Sequence, residues 1–273
     1  MIAYQHRTIF VGDIRTHFLE AGSGPDLVLL HGGEYGASAE ITWHANIEAL
    51  AQKFHVVAPD ILGWGRTDKL YSFSDPAGLR IRHLQRLLEA LGIGPAYFVG
   101  NSAGGGVILR AVVRRPVPFQ VLKMVTICGN ASVFKTTSQA DLENYTPSLE
   151  NMKRIVALLY HDRKWQSEEN IRERYESSII PGAWETLSAT RLRSPAHQVR
   201  STTEEFVKQL SQLQIPLLIM SCDHDPLNQP EWDVNFQKIV PGSKIHRFKY
   251  SAHEPQIEET EEFNRVLTGF LLG

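Results

Sequence analysis

Tyr97-Phe98-Val99-Gly100-Asn101-Ser102-Ala103-Gly104-Gly105-Gly106 is the stretch on which the reading of this chain turns. Apolar residues of strand character run into Gly-x-Ser-x-Gly, and Val107 to Val113 beyond it is compatible with a helix. A serine held between a strand and a helix sits on a sharp turn with crowded backbone, so glycine is needed two positions to either side. Gly105 and Gly106 then let the helix lie close against the sheet. An idle serine in a glycine-rich turn would share the motif but not this strand-to-helix context.

Outward from that turn, short apolar runs alternate with amphipathic stretches. Leu27 to Leu30 ends at His31-Gly32-Gly33, Val56 to Ala58 at Pro59-Asp60, and Met124 to Ile127 at Cys128-Gly129. Pro216 to Met220 leads to Ser221, and Ile245 to Phe248 leads to Tyr250. Such runs, joined by helical patterns, read as buried parallel strands with crossover helices. Leu79 to Leu91 carries apolar residues at 81, 84, 87, 88 and 91, a helical period, and Phe263 to Leu272 closes the chain with another amphipathic segment. Thr8 to Leu19 can supply an antiparallel hairpin at one edge. The expected class is α/β, a mostly parallel central sheet flanked by helices. Between 132 and 200 the alternation stops; Trp165, Trp184 and many charges stand there without a strand-like run. We read 132–200 as a helical insertion over the ligand crevice, and 1–131 with 201–273 as the core.

The composition narrows the function classes. The chain has 273 residues, 42% hydrophobic, with 28 Lys+Arg against 30 Asp+Glu and a net charge of -2. Near-neutral charge without a basic cluster argues against nucleic acid as a partner. No apolar run has the length of a membrane span, and Met1 to Arg7 lacks the apolar core of a signal peptide. Cys128 and Cys222 are too few for a disulfide framework or a cysteine zinc site, and they fit a reducing compartment. The expectation is a cytoplasmic protein with a small-molecule substrate; a homo-oligomer is left open.

A serine at its own pKa is a poor nucleophile and needs a base, usually a histidine oriented by a carboxylate. After a serine on such an elbow the acid comes next in the chain and the histidine last. His253, in the loop between the last strand and the last helix, stands where the base belongs. His161 and His197 fall in the insertion and His246 alternates within a strand, so these read as structural. The acid must follow the strand ending at Met220, where Ser221-Cys222-Asp223-His224-Asp225-Pro226 offers two aspartates. Asp225 is chosen, because the turn before Pro226 can aim it at the histidine loop; Asp223 reads as a surface turn residue. The oxyanion needs two backbone donors. One is the amide of Ala103, and the other comes from the loop His31-Gly32-Gly33-Glu34, through Gly32 or Gly33. His31 reads as holding that loop.

Together, His31-Gly32-Gly33, Asp60 to Asp68, the Ser102 elbow, Asp225, His253 and Glu261 to Arg265 resemble the α/β-hydrolase fold family over nearly the whole chain. The resemblance implies that the insertion 132–200 is a helical lid. More narrowly the chain is similar to the meta-cleavage product hydrolases, which cut C–C bonds in 2-hydroxy-6-oxo-dienoates from aromatic ring degradation. The elbow G-N-S-x-G-G, the glycine-rich first loop with Trp43 beyond it, and Arg174-Tyr175-Glu176, similar to the family's R-W-E, carry that resemblance. It implies that Asn101 and Arg174 meet the substrate, the arginine facing its carboxylate end. Glu254 stands where the family commonly has tryptophan, Ala103 where it has methionine, and Glu34-Tyr35 where it has glycine-proline. A carboxylate at Glu254, beside the base, implies a more polar acyl portion. The implied reaction is ketonisation of the dienol, attack on the distal carbonyl assisted by His253, and release by water, without metal or organic cofactor. A carboxylesterase or lactonase would use the same triad, and a non-catalytic ligand receptor on this fold is a third reading.

Overall fold

The computed structural model describes residues 3–134, 136, 138, 142, 144–192 and 203–273. Its centre is an eight-stranded sheet in the order β1-β2-β4-β3-β5-β6-β7-β8. The strands are β1 (Gln5–Val11), β2 (Ile14–Ala21), β3 (Asp26–Leu30), β4 (His55–Pro59), β5 (Ala96–Asn101), β6 (Val121–Ile127), β7 (Leu217–Cys222) and β8 (Lys244–Phe248). The first two form the expected edge hairpin, antiparallel to each other, and β2 pairs antiparallel with β4. Every other pairing is parallel.

The apolar runs are continuous because the central strands are covered on both faces. Leu27 and Leu29 of β3 pack with Trp43 and Ile47 of α1 (Ala39–Leu50) and with Phe263 and Leu267 of the C-terminal helix. Val28 and Leu30, pointing the other way, pack with Ile81, Leu84 and Leu88 of α2 (Pro76–Ala90) and Ile108 of α3 (Ala103–Val112). By contrast β1, at the sheet edge, is mostly exposed.

Between β6 and β7 the described chain is helical, with α4 (Leu149–Leu159), α5 (Glu168–Ser178), α6 (Ala183–Ser188) and α7 (Thr203–Leu210). Ser148 and Ser167 cap α4 and α5, their hydroxyls accepting from the amides of Asn151 and Asn170. Ile155, Val156 and Leu159 of α4 and Ile171 of α5 join the core on the α2–α3 side of the sheet. The expected junction at 200/201, and His197, lie outside the described residues. After β7 come α8 (Trp232–Ile239), β8, the short α9 (Pro255–Glu258) and α10 (Thr260–Leu272). Among the described residues no helix is long and apolar enough to cross a membrane.

The parallel strands all end on the same edge of the sheet, and β5 lies between β3 and β6. The loops after β3, β5 and β6 are therefore neighbours, which is where ligands bind in open α/β sheets. Their approach is set by Gly104. A Cβ there would run into the carbonyl oxygen of Leu30 and stand 2.6 Å from that of His31. Gly104→Ala is expected to lower the unfolding free energy by about 1–3 kcal/mol, the scale of overpacking. Urea denaturation measures it; an unchanged midpoint would mean that α3 does not need this contact with β3.

Candidate active site

Ser102 links β5 directly to α3 and has φ 49° and ψ -110°, a left-handed backbone rare for a residue with a side chain. Its amide donates to the carbonyl of Ile127 at 2.7 Å, which ties the turn to β6. The space is cleared by glycine on each side. A Cβ on Gly100 would strike the backbone of Gly104 and Gly105, and one on Gly129 would stand 2.6 Å from the Ser102 carbonyl oxygen. The helix that follows aims its first amides at the turn, with Ala103 exposed at its N-terminus and Ser102 partly exposed.

His253 and Asp225 come from the loops after β8 and β7 and meet below the surface. His253 Nδ1 lies 3.0 Å from each Asp225 carboxylate oxygen, with both side chains almost completely buried. The carboxylate also accepts from the amide of Leu227 at 2.9 Å and the side chain of Asn228 at 2.7 Å. Burial opposes the charged form of each partner, but their mutual attraction and hydrogen bond outweigh it. Asp225 is held below the ordinary carboxylate range, while His253 is raised above the histidine value, with Glu34 and Glu254 adding to the effect of Asp225. Asp223 is turned away, 43% exposed, 3.8 Å from Arg247. Its neighbour His224 stacks on His161 at 3.7 Å between ring centres. A buried acid that the sequence reading passed over is Asp233, which holds Ser221 at 2.6 Å and Arg247 at 2.8 Å and so braces the strand leading to Asp225.

The loop after β3 is held by His31. Nδ1 donates to the carbonyl of Gly32 at 2.6 Å and Nε2 accepts from the amide of Ile61 at 2.9 Å, an arrangement that needs the neutral ring. Burial accordingly lowers its pKa. Gly33 comes so close to the elbow that a Cβ on it would stand 2.6 Å from that of Ala103. Behind it, buried Asp60 accepts from His17 Nδ1 and from the amides of Ala39 and Arg66, each at 2.7 Å. The 60–68 stretch is thereby a brace for this loop. Asn101 is fully buried; its Nδ2 donates to the carbonyl of His253 at 3.1 Å and its Oδ1 is without a partner.

Arg174 does not reach the surface. Its partners are not the adjacent Glu173 and Glu176 but Glu34 of the β3 loop and Glu254 beside His253. Nη1 donates to Glu34 at 2.9 Å and Nη2 to Glu254 at 2.7 Å, with all three side chains buried. Nη2 also meets the Tyr160 hydroxyl at 2.5 Å, which donates to Glu254 at 2.6 Å, and Nε donates to Asn170 at 3.3 Å. The guanidinium is spent within the protein. Burial disfavours its charge, but Glu254, Tyr160 and Glu34 hold its pKa well above the ordinary value. The signal for this cluster was in the sequence as two glutamates foreign to the resemblance, yet only the fold could join them through a helix 140 residues from one and 80 from the other.

Cys128, Asp225 and His253 have ligand atoms within 4.8 Å of one another. A cation there would compete with the Asp225–His253 hydrogen bond, and burial raises the Cys128 thiol well above its ordinary pKa, away from the thiolate a metal needs. The Cys128 and Cys222 sulfurs are 3.6 Å apart, with both thiols free.

A protein-family model for the alpha/beta hydrolase family matches residues 27–266. The chain is 27% identical over 266 residues to the 2-hydroxy-6-oxo-2,4-heptadienoate hydrolase of Pseudomonas putida strain F1, covering 97% of this chain and 95% of that one. It is 28% identical over 272 residues to the 2-hydroxymuconate semialdehyde hydrolase of Pseudomonas sp. strain CF600, covering 97% and 93%. Among solved structures, the meta-cleavage product hydrolase CumD of Pseudomonas fluorescens IP01 superimposes with a TM-score of 0.86 at 29% identity, over 97% of each chain.

Breaking a buried ion cluster by removing one partner leaves uncompensated charge. Arg174→Gln is therefore expected to destabilise the protein by about 3–5 kcal/mol. Chemical denaturation at neutral pH measures this, and wild-type stability in the variant would contradict the cluster.

Proposed function

The chain belongs to the alpha/beta hydrolase family, and from that premise we propose a serine-dependent hydrolase in which Ser102 is the nucleophile, His253 the base and Asp225 the acid. The observation that carries the reading is the buried Asp225–His253 pair, 3.0 Å apart, in loops at the same edge of the sheet as the strained Ser102 turn. His253 takes the Ser102 proton as the hydroxyl attacks a substrate carbonyl. Asp225 holds the ring in the tautomer that leaves Nε2 free and stabilises the imidazolium once formed. The amides of Ala103 and of Gly32 or Gly33 receive the oxyanion, and the N-terminus of α3 favours its charge. His253 returns the proton to the departing group, and water then hydrolyses the acyl-enzyme. Helices α4 to α6, with the rest of 132–200, are assigned as the lid, and the substrate is a small molecule met in the cytoplasm.

The bond cleaved is C–C, in a compound of the 2-hydroxy-6-oxo-dienoate type. Full-length similarity to hydrolases of that chemistry supports this. Ketonisation first makes the conjugated chain an electron sink. The carbon–carbon bond beside the attacked carbonyl then breaks towards that chain, which takes a proton. A second reading, a carboxylesterase or lactonase, is favoured by one observation: the guanidinium of Arg174 is committed to Glu34 and Glu254 and presents no free face to a carboxylate. Turnover of a panel of dienoates, aryl esters and lactones, with product analysis and Ser102→Ala as the blank, separates the two.

Because His253 must be neutral to act and its pKa is raised, the acid limb of kcat/KM is expected above the ordinary histidine value of 6.5. Activity falls as pH drops through that limb; a limb below 6.5 would contradict the role given to the Asp225–His253 pair. Asp225→Asn should cost up to about 10⁴-fold in kcat, the scale of losing the orienting carboxylate. Asp223→Asn should be close to wild type, and the reverse pattern would exchange the two roles.

A further inference from the structure

The chain's two cysteines stand 94 residues apart in the sequence and in contact in the fold. Cys222 ends β7, and Cys128 follows β6, the strand paired with it, its amide donating to the Met220 carbonyl at 2.8 Å. Both thiols are buried and free, with their sulfurs 3.6 Å apart. The pair is tied to the loops of both Asp225 and His253. Asn228 Nδ2 donates to the Cys128 carbonyl at 2.9 Å and to the Asp225 carboxylate at 2.7 Å, and Cys222 stands three residues before Asp225. The Cys128 sulfur lies 3.9 Å from the carbonyl oxygen of Ala252, the residue before His253, and within 4.8 Å of side-chain atoms of Asp225 and His253. No step of the hydrolytic cycle uses either sulfur.

We propose that Cys128 and Cys222 form a reversible redox modification site: hydrogen peroxide converts them to a disulfide, and the bond disables the enzyme by displacing Asp225 from His253. One thiolate attacks a peroxide oxygen, the O–O bond breaks, and a sulfenic acid and one water form. The second thiol attacks the sulfenic sulfur, the S–S bond forms and a second water leaves. The two thiols thereby lose two electrons and two protons, and the peroxide becomes two waters. A dithiol reverses the bond by exchange. Cys222 is the thiol that attacks first. Burial raises both thiols above their ordinary pKa, Cys128 well above it, whereas the hydrogen bond that Cys128 donates lowers the value at Cys222. Cys222 is also the less buried, 9% exposed against 3%. In a reducing compartment the pair rests as two thiols, so the bond is regulatory and not structural. An S–S bond is about 2 Å long, so the sulfurs must close by about 1.5 Å. Strands β6 and β7 fix the chain before the cysteines, and the movement falls on the segments after them. Those segments carry Asp225 and Asn228 and abut Ser102 through Gly129. The loss of activity rests on the roles given to Ser102, Asp225 and His253; formation of the bond does not.

The test treats the folded wild type with hydrogen peroxide. Peptide mass mapping follows the bond, and the rate of labelling by a fluorophosphonate follows Ser102. Expected are a peptide pair cross-linked between Cys128 and Cys222 and a fall in labelling rate on the order of 100-fold, the scale of a 1 Å misplacement in a catalytic site. Dithiothreitol should remove the cross-link and restore the rate. Cys222→Ala, which takes away one sulfur without burying a new polar group, should label at the reduced wild-type rate before and after peroxide. In Cys128→Ala, the second variant should the first fold poorly, no cross-link can form and dimedone should capture the unresolved sulfenic acid on Cys222. A folded wild type that gives no cross-link, or a cross-linked protein that labels as fast as the reduced one, would overturn the proposal. An equal loss of labelling in Cys222→Ala would do so as well, since oxidation elsewhere would then be the cause. Failure of the fluorophosphonate to label the reduced wild type would instead remove the nucleophile assignment, and the cross-linked peptide by itself would decide the modification site.

Discussion

The turn at Ser102 exists because backbone can touch backbone on every side of it. The residue sits at φ 49°, and that conformation costs free energy that the surroundings must offset. They do so by contact: Gly100 against Gly104 and Gly105, Gly104 against the end of β3, and Gly129 against Ser102 itself. The hydrogen bond from Ser102 to Ile127 closes the arrangement. Everything at this edge of the sheet inherits its position from these approaches. The first turn of α3, the loop at Gly33 and the chain after β6 cannot move independently of the serine.

The three buried carboxylate systems around the elbow solve one electrostatic problem in different ways. Asp60 is surrounded by a histidine ring and backbone amides and fixes loops. Asp225 is hydrogen-bonded to His253, and the attraction between them is expressed as a raised histidine pKa. Glu34 and Glu254 share one guanidinium, and the balance of charge is left on the side of the acids. Burying ions in this way is weak evidence for stability, since desolvation consumes much of the Coulombic gain. It is stronger evidence that the charge pattern near the base matters, because Glu34 and Glu254 also favour the imidazolium of His253.

The helices between β6 and β7 are coupled to the base through backbone as well as charge. The amide of His253 donates to the carbonyl of Leu159 at the end of α4, and Tyr160 follows directly into the Arg174 cluster. A displacement of α4 or α5 would pull on the histidine loop and on Glu254 together.

The strands, the edge hairpin and the elbow were legible in the chain, because they follow from local rules: apolar runs between turns, glycines where a turn admits no Cβ, and a serine between strand and helix. Asp225 and His253 were legible too, as the residues that follow particular strands. Arg174 was not. The resemblance places it towards a substrate carboxylate, and nothing in its own helix, where Glu173 and Glu176 flank it, marks it as buried. Its burial is decided by where α5 packs, which brings two glutamates from opposite ends of the chain onto one guanidinium. Residue types and spacing specify which bonds a segment can make with itself. Which distant charges share a low-dielectric space depends on the packing of whole elements, and only the tertiary structure determines that.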